Sequence, residues 1–312
     1  MSEIQNLIWD HKYAPKTVED TILPKKQKET IKAMIAAGKI PNMLFHGTSG
    51  IGKTTLARAI AYETDADFHV VNASMDGNMD NLRTNITSFV SSVSFTDSKK
   101  IVLLDEADHL TSATQPALRG FIDEFSCNAT FILTCNYPNR LIEPLVKRLD
   151  SVQFIFPKEE KQAASIAMLK RCCMILDAEG VTYDKKVVAA LVTKNFPCFR
   201  QTLIQLQRYS SSGEIDSGIL AESSDGALTA LVDLIKAKDF GKCRQWVANN
   251  QMDAQSFYRG LYDRMLPLLV PASVPQIILI IADSADSARE CIDSEINQIA
   301  ALIKIMGTAA FK

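Results

Sequence analysis

Two short stretches carry residue types spaced for phosphate chemistry. The first is GTSGIGKT at 47–54, which fits the pattern G-x-x-x-x-G-K-[ST]. In such a loop Gly47, Thr48, Ser49, Gly50, Ile51 and Gly52 curl successive backbone N–H groups around an anion, Lys53 reaches its phosphates, and Thr54 reaches a bound Mg²⁺, with Thr55 next in line. Pattern alone does not separate this cradle from a glycine-rich turn with a solvated lysine. The second stretch is IVLLDEAD at 101–108, four apolar residues running into Asp105 and Glu106. In open parallel sheets ligands bind at the carboxyl ends of strands. Asp105 there could hold Mg²⁺ through its water shell, and Glu106 could accept a proton from water attacking a terminal phosphate. A solvated acid pair is the alternative, which the phosphate loop upstream disfavours.

Three further polar residues stand near the same chemistry. Asn136 ends the run FILTCN and could orient a water or touch the terminal phosphate, though asparagine after a strand is also an ordinary turn former. Arg148, in PLVKRLD, could serve as an arginine finger offered to a neighbouring subunit. Arg200 could reach the nucleotide from a following helical segment. The residues alone leave a solvated surface role open for both arginines.

The elements that must position these groups follow from periodicity. MLFH at 43–46 reads as a buried strand, and Leu56, Ala59 and Ile60 repeat at helical spacing, giving strand, loop and helix. That helix points its N-terminal N–H groups at the anion. FHVVN (68–72), IVLLDEAD, FILTCN (131–136) and VQFIF (152–156) read as further strands, and NLRTNITSFVSSV as a helix with Leu82, Ile86, Phe89 and Val90 on one face. Strands alternating with helices predict an α/β fold, a parallel sheet with helices on both faces. Past about residue 157 no strand pattern is visible. Helical stretches are expected near 159–178 and 184–194 and through FPCFRQTLIQLQRYS, and Ser/Gly/Asp-rich breakers at 210–218 and 222–226 separate a last helical piece. In that piece Leu228, Leu231, Val232 and Ile235, and later Ile296, Ile299, Ala300 and Ile303, give the apolar spacing. The expected domains are 1–157, 158–219 and 220–312.

With 312 residues, 47% of them hydrophobic, the chain has ample material for cores. Formal charge is −2, from 34 Lys+Arg against 36 Asp+Glu, so any nucleic-acid contact must be local. Seven cysteines without a C-x-x-C pair and four scattered histidines predict reduced, mostly buried thiols and no zinc site. MSEIQNLIWDHKYAPK lacks the pattern of a signal peptide, and MLPLLVPASVPQIILIIADSAD is broken by Pro267, Pro271 and Pro275, so the expectation is a cytoplasmic protein without membrane contact.

Taken in order and spacing, GTSGIGKT, LLDEAD, FILTCNY, PLVKR and FRQTLIQLQ resemble the AAA+ ATPases of the sliding-clamp-loader family. The opening WDHKYAPKTVEDTILP is similar to that family's W-x-x-K-Y-R-P segment. The likeness is greatest to the family's bacteriophage branch, with replication factor C small subunits behind it, and is weak over the last eighty or so residues.

The resemblance implies a P-loop AAA+ domain, a small helical lid and a helical C-terminal collar. ATP and Mg²⁺ are the implied ligands, Lys53 and Thr54 the nucleotide and Mg²⁺ contacts, Asp105 the Mg²⁺ acid and Glu106 the base. Asn136 matches the sensor-one position, Arg148 the trans-acting finger and Arg200 the sensor-two arginine, while Tyr13 to Pro15 with Ile22 would wall the adenine pocket. Two departures stand out. The finger lies in Lys147-Arg148-Leu149 where the family often has Ser-Arg-Cys, and Ala14 replaces the arginine of K-Y-R-P. Primer–template DNA, read through its phosphates, a sliding clamp, and further copies of the chain with a non-identical subunit in a pentamer are the implied partners. DNA candidates are Arg83 and Arg119, each equally readable as a solvated arginine. On the helix QPALRGFIDEF, Leu118, Phe121, Ile122 and Phe125 form the core face, with Arg119 and Gln115 at its flank and Pro116 in its first turn. Gln115 would relay DNA contact to the acids. Phe95, set among serines, would dock on the clamp or else face inward. The competing readings are another AAA+ DNA motor or helicase loader, and a structural subunit that binds nucleotide without hydrolysing it; intact Lys53, Asp105, Glu106 and Arg148 argue against the latter.

Overall fold

The computed structural model describes residues 8–74, 79–92, 99–211, 214–215, 224–250, 252–288, 291 and 293–312. The chain divides into two compact units, Met1–Asp216 and Ser217–Lys312.

The first unit is built on five parallel strands: β1 (Met43–Gly47), β2 (Asp67–Asn72), β3 (Lys100–Asp105), β4 (Ala129–Cys135) and β5 (Asp150–Phe154), in the order β2-β3-β4-β1-β5. Alternation along each strand sends residues to opposite faces. One row crosses four strands as Val71, Leu104, Leu133 and Leu44, in register. It packs under α4 (Met79–Ser91) through Ile86 and Val90, and under α5 (Thr114–Phe125) through Leu118, Phe121 and Ile122. The next row, Leu103, Ile132 and Met43, faces α2 (Lys25–Ala36) and α3 (Lys53–Glu63) through Ile31, Leu56, Ala57 and Ile60. Both faces of the central strands β1, β3 and β4 are therefore largely dry, which is why those strands read as apolar runs. A short helix, α1 (Trp9–Lys12), precedes them.

After the sheet come α7 (Lys158–Ala178), α8 (Lys185–Asn195) and α9 (Phe199–Ser210), with α6 (Glu143–Val146) before β5. Phe156, at the end of the sheet, meets Phe196 and Phe199 with ring centroids 5.4 and 6.1 Å away, joining the sheet to these helices. One expectation is corrected here: strands do occur past residue 157, since Thr182–Tyr183 and Glu214–Ile215 pair in parallel. Two-residue strands are too short to show a period of two.

The second unit contains helices 224–236, 240–249, 254–265, 274–287 and 294–308 among its described residues. Leu228, Leu231, Val232 and Ile235 are buried as expected, against Trp246, Phe257, Leu261 and Ile277. The last helix corrects the sequence reading. Gln298, Ala301, Leu302 and Ile305 face inward, while Ile296 and Ile303 are 64% and 52% exposed. That helix is apolar on more than one side, so spacing does not select the buried stripe. The cysteines also differ from expectation: all seven are free, but only Cys135, Cys172 and Cys243 are buried, and Cys127 and Cys291 are exposed. No described helix is long and apolar enough to cross a membrane.

Candidate nucleotide-binding and hydrolysis site

Because β3, β4 and β1 are neighbours, their carboxyl ends deliver Asp105, Asn136 and the glycine-rich loop to one sheet edge. Gly52 caps α3 with φ +106, in the left-handed region that favours glycine, and no side chain caps the first amides of that helix. Gly50 has φ +73, and a Cβ there would lie 2.4 Å from Cys198 Sγ. Its carbonyl accepts the N–H groups of Phe199 (3.0 Å) and Arg200 (3.3 Å), so the start of α9 is bonded to the loop itself.

Lys53 is buried, and its Nζ donates to the Gly47 and Thr48 carbonyls at 2.8 and 2.9 Å and to Asn136 Oδ1 at 2.8 Å. Burial draws the Lys53 ammonium below its ordinary pKa, opposed by the fields of Cys135, Asp105 and Asp108. Asp105 Oδ1 accepts hydroxyls from both Thr54 (2.8 Å) and Thr134 (2.5 Å). Thr134 also accepts the Glu106 N–H at 3.1 Å. Glu106 takes φ +58, ψ 41, a conformation worth roughly 1–2 kcal/mol of strain for a residue with a Cβ. Its partly buried carboxylate lines the cleft and has no hydrogen-bond or ion-pair partner among the described residues.

A hydroxyl and a carboxylate held together form an oxygen donor set that suits Mg²⁺, a hard cation that keeps several ligands from water and substrate phosphates. No group of three or more His, Cys, Asp or Glu side chains among the described residues could hold a metal alone. Thr54 and Asp105 are thus the residues that fit Mg²⁺ with a nucleotide supplying the remainder.

The cleft over these groups is walled by Tyr13, Pro15 and Ile22, by Ser49 to Thr55, and by Asp105, Glu106, Asn136 and Arg200; Gly47 and Thr48 do not line it. Thr134, Asp10, Met168, Arg171, Phe199 and Leu203 also line it and were missed. Arg171 of α7 donates to the carbonyls of Tyr13 (2.6 Å) and Asp20 (3.0 Å), and Tyr13 Oη donates to Glu179 at 2.7 Å, so the N-terminal segment is strapped to α7. Arg200 Nε stands 3.6 Å from Asp10 Oδ2. Thr134 left one trace in the sequence, a hydroxyl inside an otherwise apolar run. The others come from distant segments and left none.

Arg148, Arg83, Arg119 and Gln115 do not line the cleft. Arg148 is exposed, its Nε donating to both Asp123 oxygens at 2.8 and 2.9 Å and its guanidinium also to the Pro144 carbonyl. Arg83 and Arg119 are exposed and have no ion-pair or hydrogen-bond partner among the described residues. Gln115 is not at a flank of α5 but only 2% exposed. Its Nε2 donates to the Leu110 and Arg140 carbonyls (3.1 and 3.0 Å), and its Oε1 accepts the Ile142 N–H at 2.7 Å. Three backbone partners make burial of this amide affordable. Phe95 lies outside the described residues.

Residues 43–157 match the family model "ATPase family associated with various cellular activities (AAA)". Residues 160–221 match "Sliding-clamp-loader large subunit, AAA+ ATPase lid domain". The sliding-clamp-loader large subunit of Enterobacteria phage T4 is 35% identical over 283 residues, 89% of this chain and 88% of that protein. Its counterpart in Escherichia phage RB69 is 37% identical over 270 residues, 83% of this chain and 84% of that protein. The replication factor C small subunit of Natronomonas pharaonis is 37% identical over 190 residues, 59% of this chain and 57% of that protein. Among solved structures, the Thermotoga maritima RuvB Holliday junction branch migration motor superposes with TM-score 0.55 at 16% identity, covering 82% of this chain and 92% of that one, a likeness of fold alone.

Proposed function

The chain belongs to the sliding-clamp-loader large-subunit family, and from that membership we propose that it is an ATPase subunit of a sliding-clamp loader whose hydrolysis is stimulated by DNA and clamp. The observation that carries this reading is the cleft in which Lys53–Asn136 and Thr54–Asp105 are preassembled beneath the lid segment, in a chain 35–37% identical to the phage proteins over most of its length.

In this reading the uncapped amides of α3 and the Lys53 ammonium bind the ATP phosphates. Thr54 and Asp105 hold Mg²⁺, which when bound neutralises phosphate charge. Glu106 takes the proton of the attacking water, and Asn136, fixed to Lys53, orients that water at the terminal phosphate. Tyr13, Pro15 and Ile22 wall the base, and Arg200 contacts phosphate from the lid side. Arg148 acts across a subunit interface. Its surface ion pair with Asp123 is weak enough, at roughly 0–1 kcal/mol, to be exchanged for a neighbour's nucleotide. Asp123 stands on α5 with Arg119 and Gln115, giving DNA phosphates held by Arg83 and Arg119 a route to the finger. Phe95 is assigned to the clamp.

The division proposed is nucleotide-binding domain 1–157, lid 158–219 and collar 220–312. Exposed Ile296 and Ile303, one above the other on the last helix, favour self-association of the collar with further copies and a non-identical subunit, as a pentamer in the host-cell cytoplasm. ATP binding selects the assembly that holds the clamp open on primer–template DNA, and hydrolysis releases the closed clamp. The test is ATP hydrolysis by the purified complex with primer–template alone, clamp alone, and both. The highest rate is expected with both, and a rate indifferent to DNA and clamp would overturn the proposal.

A further inference from the structure

Asp108 ends the DEAD stretch but does not line the cleft. It lies in the 3₁₀ turn Ala107–His109 after β3 and is only 5% exposed. Oδ2 accepts the backbone N–H groups of Asn136 and Tyr137, both at 3.2 Å. Oδ1 is buried without a hydrogen-bond partner, and no ion pair among the described residues includes Asp108. An unpaired buried carboxylate is unfavourable, so a solvent-facing or apolar residue would suit the turn better if packing were the only demand.

The two bonds explain what the carboxylate does. β4 ends at Cys135, so the next two peptide N–H groups have left the sheet, and Asp108 gathers both with one charged oxygen. Charge-assisted N–H bonds are about twice as strong as neutral ones. Asparagine has a short side chain, so the direction of its amide follows the placement of its backbone. That amide meets Lys53 Nζ at 2.8 Å. We propose that Asp108 is a positioning residue for the Lys53–Asn136 pair, aiming the Asn136 amide from behind the strand end and setting the rate of ATP hydrolysis rather than the affinity for ATP. This rests on the reading of the cleft as an ATPase site.

The test compares Asp108→Ala, Asp108→Leu and Asp108→Asn in the assembled complex, with Glu106→Gln as reference for the site itself. Asp108→Ala should lower kcat by about tenfold or more while nucleotide Kd, read with a fluorescent ATP analogue, stays within about threefold. Asp108→Asn keeps an acceptor oxygen and should recover most of kcat. Adding Asp108→Ala to Asn136→Ala should lower kcat little further, since both act through one amide. Asp108→Leu fills the volume and serves if the alanine variant does not fold. The hypothesis fails if kcat is unchanged, if kcat and affinity fall together without rescue by asparagine, or if both truncations fail to fold while asparagine behaves as wild type. Hydrogen exchange gives a reading independent of turnover: the Asn136 and Tyr137 amides should lose protection in Asp108→Ala and keep it in Asp108→Asn. Unchanged protection overturns the positioning role even if the chain hydrolyses nothing, whereas equal turnover in wild type and Glu106→Gln counts against the ATPase reading alone.

Discussion

Asp105 and Glu106 are adjacent in the chain yet are held in opposite ways. Two hydroxyls fix the Asp105 carboxylate, while the left-handed backbone of Glu106 carries its carboxylate into the cleft without a partner among the described residues. One acid is thus held in place by hydroxyls, and the other lines the cleft without a partner among the described residues, the difference on which the proposed roles of ligand and base rest. Glu106→Gln should retain ATP binding while turnover falls by about 10²–10⁴-fold, the usual contribution of a general base; undiminished steady-state turnover would remove Glu106 from that role. The contiguous parts of this site were legible because the chemistry itself dictates their spacing: a glycine loop must run directly into Lys53 and Thr54. Thr134, Asp10 and Arg171 were not, because only the sheet order and the packing of α7 and α9 bring them to the cleft.

At the scale of elements, α5 does several tasks with one amphipathic pattern. Leu118, Phe121 and Ile122 pack on the sheet, Gln115 ties the helix to the Leu110, Arg140 and Ile142 backbone, Asp123 holds Arg148, and Arg119 faces solvent. Sequence periodicity revealed the core face but misplaced Gln115, because polarity argues for the surface unless the backbone partners are known. In the last helix Ile296 and Ile303 continued the apolar spacing yet are exposed, because that helix is apolar on more than one side. Arg83→Ala with Arg119→Ala should weaken DNA stimulation and leave the DNA-free rate nearly unchanged. With net charge −2 the protein has no global field for DNA, so each lost phosphate contact should reduce the slope of log K against log[salt] by about 0.9, equally for any primer–template sequence. Wild-type affinity with an unchanged slope would place the DNA surface elsewhere.

At the scale of the whole molecule, the proposed function places each active site between two copies. Arg148 is exposed and does not line its own cleft, which leaves it available to serve a neighbour in the proposed assembly. Arg148→Ala complexes should lose hydrolysis in the adjoining site, and mixing them with Lys53→Ala subunits should restore activity wherever an intact Lys53 faces an intact Arg148. If mixed complexes regain nothing while both variants assemble, the finger does not act in trans. The most direct measurement of the central claim is retention of the clamp on closed circular primed DNA after incubation with the complex and ATP. The expected result is a salt-resistant clamp left on DNA with the loader gone for wild type, and loader, clamp and DNA remaining together for Glu106→Gln. Absence of any salt-resistant clamp with wild type, or release by Glu106→Gln at the wild-type rate, would contradict the account.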